Sequence, residues 1–190
     1  LSSRLYYLNG LALLNLDDYD KALNTLLIGV DFVVDDSHFS SEFHALIGDV
    51  YHKLGQHQDS DESYSTALKY NSENILVLNN YSYYLALRNK NLSLAHEMIK
   101  KCDQLTQAKP NPSFLDTYAW VLYKLKKYKE AKDKIQKAIK LNSKSATLFD
   151  HSGDILFKIG EIDSAISEWK KALIIDPQNS DIKKKINQNE

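Results

Sequence analysis

The chain has 190 residues, 43% of them hydrophobic and 26% charged, with six glycines, three prolines and a mean hydropathy of −0.43. That composition describes a folded domain with enough chain to bury a core, and it excludes a disordered segment. The longest apolar runs, such as Leu26-Leu27-Ile28-Gly29-Val30, fall far short of the ~20 residues of a membrane helix, so no transmembrane segment is expected. A single cysteine, Cys102, excludes an internal disulfide. The start, Leu1-Ser2-Ser3-Arg4, has neither an initiator Met nor a signal-type apolar core and reads as a fragment or processed product. The net charge of −1 conceals a gradient: residues 1–70 carry −7, residues 71–120 carry +1 and residues 121–190 carry +5.

Self-similarity organises the rest. Units begin near Ser3, Ser41, Ile75, Pro112 and Ala146, a period of about 34 residues. The first unit is 3–36, and the surplus between it and the second falls in Asp35-Asp36-Ser37-His38. The second is 41–74, with its turn at Gly55. The third, 75–111, has a turn one residue longer at Arg88-Asn89-Lys90-Asn91, and the surplus between it and the next unit falls in Lys109-Pro110-Asn111-Pro112. The fourth is 112–145. The fifth, 146–179, turns at Gly160 and ends at Asp176-Pro177. A polar segment, 180–188, follows with Ser180 as a plausible cap. Spacings such as Val121-Leu122-x-x-Leu125 and Ile135-x-x-Ala138-Ile139 are helical, and nowhere does strand alternation persist. The expectation is ten packed helices and a short terminal one.

Three unit positions are uniformly small. Position 8 holds Gly10, Gly48, Ser82, Ala119 and Gly153; position 20 holds Ala22, Ser60, Ala95, Ala131 and Ala165; position 27 holds Gly29, Ala67, Cys102, Ala138 and Ala172. Gly, Ala, Ser and Cys make up only about a fifth of the chain, so this agreement in register is not chance. Antiparallel helices approach to about 8–10 Å only where side chains are small. Larger residues at position 24 (Leu26, Tyr64, Ile99, Ile135, Trp169) are expected to fill the space left open.

The pattern resembles the tetratricopeptide repeat, most clearly in Phe149, Gly153, Gly160, Ala165, Trp169, Ala172 and Pro177 of the last unit. That resemblance implies an all-α, right-handed superhelical solenoid of about five helix-turn-helix units plus a C-terminal capping helix, forming one domain over 1–190. The first unit departs most, with Leu13 and Val34 where Tyr and Pro are usual. The runs around Asn80, Thr117 and His151 are also similar to bacterial members of the family.

In this family the first helices of successive units line a concave surface through positions 2, 5, 6, 9, 12 and 13. Carried over, the resemblance implies a groove of Asp49, His52, Lys53, Asn79, Asn80, Tyr83, Asp116, Thr117, Trp120, Tyr123, Lys124, Asp150, His151 and Asp154, together with Phe157 and Lys158. Amide and aromatic side chains of this kind suit a protein or peptide partner. The centre is expected at Asn79, Asn80, Tyr83, Asp116 and Trp120. The carboxylate-gripping pattern of some relatives is not expected, because Ala45 and Asp49 stand where its basic and amide residues would be.

Chemistry finds little support. No two histidines share a helix at metal-ligand spacing, so no metal is expected, and no cofactor or catalytic motif is present. Cys102 reads as a packing thiol and Phe157 and Trp120 have core packing as their competing role. The lysines from Lys124 to Lys140 are interleaved with Glu130 and Asp133 and read as a solvated face, so no nucleic acid is expected. A non-catalytic protein-binding scaffold is the leading expectation. The alternatives are weak self-association through oppositely charged ends and a docking segment of a larger enzyme.

Overall fold

The computed structural model describes residues 2–189, and among these the secondary structure is eleven helices and no strand. They are α1 (Ser3–Asn15), α2 (Tyr19–Val30), α3 (Ser37–Lys53), α4 (His57–Tyr70), α5 (Ile75–Leu87), α6 (Leu92–Leu105), α7 (Pro112–Lys124), α8 (Tyr128–Leu141), α9 (Ala146–Ile159), α10 (Ile162–Ile175) and α11 (Ser180–Asn187). The helices fall into two compact units, Leu1–Tyr81 and Ser82–Glu190, with the division inside α5.

Four of the five expected unit starts are the first residues of α1, α5, α7 and α9. Each of these helices begins beside a side chain that accepts an otherwise unbonded backbone N–H: Ser2 from Arg4, Asn74 from Val77, Asn111 from Ser113 and Ser145 from Leu148. The exception is α3, which begins at Ser37, a turn before Ser41. Asp36 accepts from the Phe39 N–H at 2.8 Å, and the Phe39 ring packs against Tyr7 and Phe43, so half of the expected linker is helix.

Every hairpin turn carries a left-handed residue at unit position 15: Asp17, Gly55, Asn89, Lys126 and Gly160. Only the two glycines announce this in the sequence, since Gly alone adopts that conformation without a Cβ penalty.

The small positions do what close helix packing requires. A Cβ on Gly10 would lie 2.4 Å from Leu26, one on Gly153 2.3 Å from Trp169, and one on Gly48 3.1 Å from Tyr64. Each of these pairs is a position-8 residue of a first helix against the position-24 residue of its partner. Ala22, Ala67, Ala95, Ala131, Ala138, Ala165 and Ala172 are all fully buried, as is Cys102. Burial, with Asp103 adding to it, pushes the Cys102 thiol up to about 11, where it is neither a ready nucleophile nor a ready ligand.

In the first unit, Ala22, Leu26, Phe43, Leu46, Ile47 and Val50 form a core with Tyr6, Tyr7 and Leu11 packed on it. In the second, Phe149, Leu156, Trp169 and Ala172 form a core that α11 closes with Ile182 and Ile186. Counting from Ser180 as position 1, those isoleucines occupy positions 3 and 7, the buried positions of Leu148 and Ser152 in α9. The capping segment thus packs as the first helix of a sixth repeat. None of the helices, over the described residues, is long and apolar enough to cross a membrane.

Candidate functional site

In the first unit, α1, α3 and α5 together line a cavity of about 520 Å³. Tyr7, Leu11, Glu42, Ala45, Leu46, Asp49, Leu76 and Asn80 are among its walls, and all of them stand at positions 2, 5, 6 or 9 of their units. Periodicity explains this: residues three and four apart on a helix share one face, so three stacked first helices present the same positions to the same side.

The cavity is acidic. Glu42 and Asp49 both act on Tyr7, whose phenol is held above its ordinary range by burial first and then by these two carboxylates. Asp49 accepts from the Tyr64 hydroxyl and from Asn80 Nδ2 at 3.5 Å, and Asn79 Nδ2 donates to Asn80 Oδ1 at 3.0 Å. The Asn79 Oδ1 is buried with no hydrogen-bond partner. His52 lies half-buried beside the His57 ring, 5.5 Å away, and Lys53 is exposed.

The expected groove residues of the second unit behave differently, because they are engaged with one another. Trp120 stacks on Tyr123 at 4.9 Å and on His151 at 4.4 Å, with the Lys124 ammonium 4.9 Å from its ring centre. His151 donates from Nδ1 to Asp116 at 2.7 Å. Lys185 of α11 donates to both Asp150 and Asp154 at 2.7 Å, and Trp169 Nε1 donates to Asp154 at 3.1 Å. Thr117 is 5% exposed and packs inside. Phe157 packs against Trp169 with ring centres 5.8 Å apart, and so belongs to the core. The phenol of Tyr83 is raised by burial and then by Asp116, and that of Tyr123 by burial and then by Asp154.

Lys185 escaped the sequence reading, although a signal was present. With α11 counted as a sixth first helix, Lys185 sits at position 6, as His151 does in the fifth unit. His151 reaches back to Asp116 and Lys185 to Asp150, each across 35 residues to a position-5 carboxylate. The same register would also have pointed to Tyr7, Glu42 and Leu76.

The imidazole of His151 has a definite electrostatic character. Burial opposes its charged form, but the hydrogen bond to Asp116 and the carboxylates of Asp116, Asp150 and Asp154 outweigh burial, so its pKa is raised above the ordinary 6.5. A raised folded-state pKa stabilises the fold fully below the unfolded value and loses that contribution as pH rises through the folded one. The thermal midpoint of the wild type should therefore fall as pH rises through that folded value, while Asp116→Asn should flatten this step and cost about 1.5–3 kcal/mol below it. Calorimetry across pH, with the His151 ring titrated by NMR, checks both.

Three comparisons bear on these features. Sequence models described as tetratricopeptide repeat match residues 41–74 and 112–145. The TPR repeat-containing protein MJ1428 of Methanocaldococcus jannaschii is 25% identical over 71% of this chain and 31% of its own length. The type IV pilus assembly protein PilF of Pseudomonas aeruginosa is 27% identical over 63% of this chain and 47% of its own. The chain thus spans about a third to a half of the curated relatives it matches. The solved structure of the Pseudomonas PilF superposes with a TM-score of 0.81 over 95% of this chain and 79% of that one, at 23% identity. PilW, a type IV pilus biogenesis factor, superposes at 0.84 over 97% and 86%, at 14% identity. At those identities the likeness concerns the fold: an all-helical array of about five helix hairpins.

Proposed function

The chain is a tetratricopeptide-repeat protein, a fold of the protein-interaction scaffold kind, and from that premise we propose that it is a non-catalytic holder of a partner protein, gripping a peptide segment on the face built by α1, α3 and α5. The observation that carries this reading is the 520 Å³ cavity whose walls are the groove positions of three successive first helices. Its volume is in the range of ligand sites, about 300–1,000 Å³, and its walls combine apolar Leu11, Leu46 and Leu76 with polar Asp49 and Asn80. Glu42, Glu73 and Asp49 make a lysine- or arginine-bearing segment the favoured guest.

The expected centre of the groove moves accordingly. Asp116, Asp150, Asp154 and His151 already have charged or hydrogen-bonded partners within the second unit, so a peptide binding there would have to displace them. Asp49 and Asn80, which hydrogen-bond to Tyr64, Asn79 and one another, also line the cavity, where a guest can reach them.

Selecting peptides from a random displayed library, then mapping the bound peptide by NMR shift changes, tests the reading. Selected peptides should be rich in Lys and Arg, and shifts should concentrate at Tyr7, Ala45, Leu76 and Asn80. Glu42→Lys with Leu76→Lys should weaken binding at least tenfold, or about 1.4 kcal/mol, with circular dichroism unchanged. Shifts confined to other faces, or undiminished binding by the variant, would refute it.

A further inference from the structure

A second cavity, in the second unit and distinct from the acidic one, has walls from the end of α6, the start of α7 and the outer side of α8. It holds about 470 Å³ and is lined by Phe114, Leu115 and Leu141 beneath Lys134, Lys137 and Lys140. The lysines differ in state. Lys134 donates to Asp103 at 2.7 Å and lies 4.3 Å from the centre of the Tyr118 ring, so its charge is already answered. Lys137 and Lys140 are exposed and form no ion pair among the described residues. Leu141 beside them is 53% exposed. The result is an apolar floor under two uncompensated cations.

In the first unit the connection from α2 to α3 has the opposite character. Residues 31–36 read Asp-Phe-Val-Val-Asp-Asp, with all three carboxylates exposed and no cation among them. Val34 is 76% and Phe32 52% exposed, and Phe32 covers one face by stacking on Tyr6 at 5.6 Å. Asp35 has left-handed backbone in the connection between the two helices. Large apolar side chains set among acids at a loop tip cost hydration and suit burial against an apolar, cationic surface.

We propose that the chain associates head to tail, the acidic apolar loop 31–36 of one copy seating in the lysine-rimmed cavity of a second copy. Val34 and the free face of Phe32 meet Phe114 and Leu141, while Asp31 and Asp35 meet Lys137 and Lys140. The wider charge distribution favours the same orientation, since residues 1–70 carry −7 and residues 121–190 carry +5. A nucleic acid is disfavoured as the occupant: its phosphates would face an apolar floor, and Asp103 stands at the rim. Because the two surfaces are different, the contact is heterologous and leaves one surface of each kind open for a further copy. Exposed ion pairs contribute little individually, so association is weak and screened by salt.

The test uses sedimentation of the chain at about 0.5 mM in about 50 mM and about 500 mM salt, a range over which screening shortens several-fold. The wild type should grow beyond a dimer at low salt and shrink towards a monomer at high salt. One variant, Lys137→Glu with Lys140→Glu, keeps the loop and loses the cavity rim. Another, Asp31→Ser with Val34→Ser, keeps the cavity, removes a charge and an apolar contact from the loop, and adds no cation that could meet the reversed rim of the first variant. All four positions are exposed, so the fold is retained. Either variant alone should be monomeric, and an equimolar mixture should form a heterodimer and stop there, because it holds one intact surface of each kind. A wild type that stays monomeric at low salt, association that survives in either variant, or a mixture that fails to pair would each overturn the proposal.

Discussion

Trp169→Ala is expected to lower the stability of the second unit by about 3–5 kcal/mol, the range for removing a buried large aromatic. Trp169 is 2% exposed and stands where α9, α10 and α11 meet. Its indole packs directly on Gly153, where even a methyl group would come within 2.3 Å, so nothing in α9 can swing in to fill the cavity left behind. Its Nε1 also donates to Asp154, a carboxyl whose pKa burial already raises against the opposing pull of Lys185. Losing the indole removes one of the two donors to that oxygen. At this chain length each kcal/mol moves the thermal midpoint by roughly 2–4 °C, so a fall of roughly 6–20 °C is expected. Scanning calorimetry checks the magnitude. Trp169→Phe should cost less, because it keeps an aromatic ring in the core and loses the Nε1 donor to Asp154 while Lys185 still donates to that oxygen. A fall of under about 1 kcal/mol for the alanine variant would mean the indole is not the hub of this core.

Tyr64→Ala is the corresponding expectation for the first unit, again about 3–5 kcal/mol. Tyr64 is fully buried, stacks on Tyr81 at 5.3 Å and packs over Gly48. Its hydroxyl donates to Asp49, which also lines the acidic cavity. Packing and hydrogen bonding separate in Tyr64→Phe, which keeps the ring and loses about 1.5–3 kcal/mol for a bond to a charged acceptor. Denaturant unfolding followed by circular dichroism measures both variants. The phenylalanine variant carries a functional consequence as well: released from the hydroxyl, the Asp49 carboxylate presents more of its charge to the cavity. A lysine-bearing peptide selected on the wild type should therefore bind Tyr64→Phe at least as tightly, and a tenfold loss would show that orientation of Asp49, rather than its charge, holds the guest.

The packing logic and the site were not equally legible beforehand. Small residues at positions 8, 20 and 27 could be read directly, because close approach of two helices tolerates few alternatives and the constraint recurs in every unit. The turns were half legible. Gly55 and Gly160 signalled left-handed backbone and Asp17 and Asn89, of types that visit it occasionally, did so weakly, whereas Lys126 takes the same conformation with a side chain that does not advertise it. Which positions share the repeated face could be read from register, but not their state. Thr117 turned inward, and Asp116, His151, Asp150 and Asp154 acquired partners lying 31 or 35 residues away. The lysine-rich stretch read as a solvated face. In three dimensions Lys137 and Lys140 overhang a cavity whose floor comes partly from the start of α7.

By itself, then, the sequence determined the helical hairpin, its period and the buried small positions, since these follow from local periodicity and from the steric limit on how near two helices can come. Tertiary structure alone decided which polar residues of the repeated face stay available. That outcome depends on partners a whole repeat away, such as Lys185 across Asp150 and Asp154, and on how the cavities between successive helices are shaped. The physical reason is range: a steric rule repeated every 34 residues is written locally, while satisfying or leaving open a carboxylate is settled by whichever cation the fold brings within hydrogen-bonding distance.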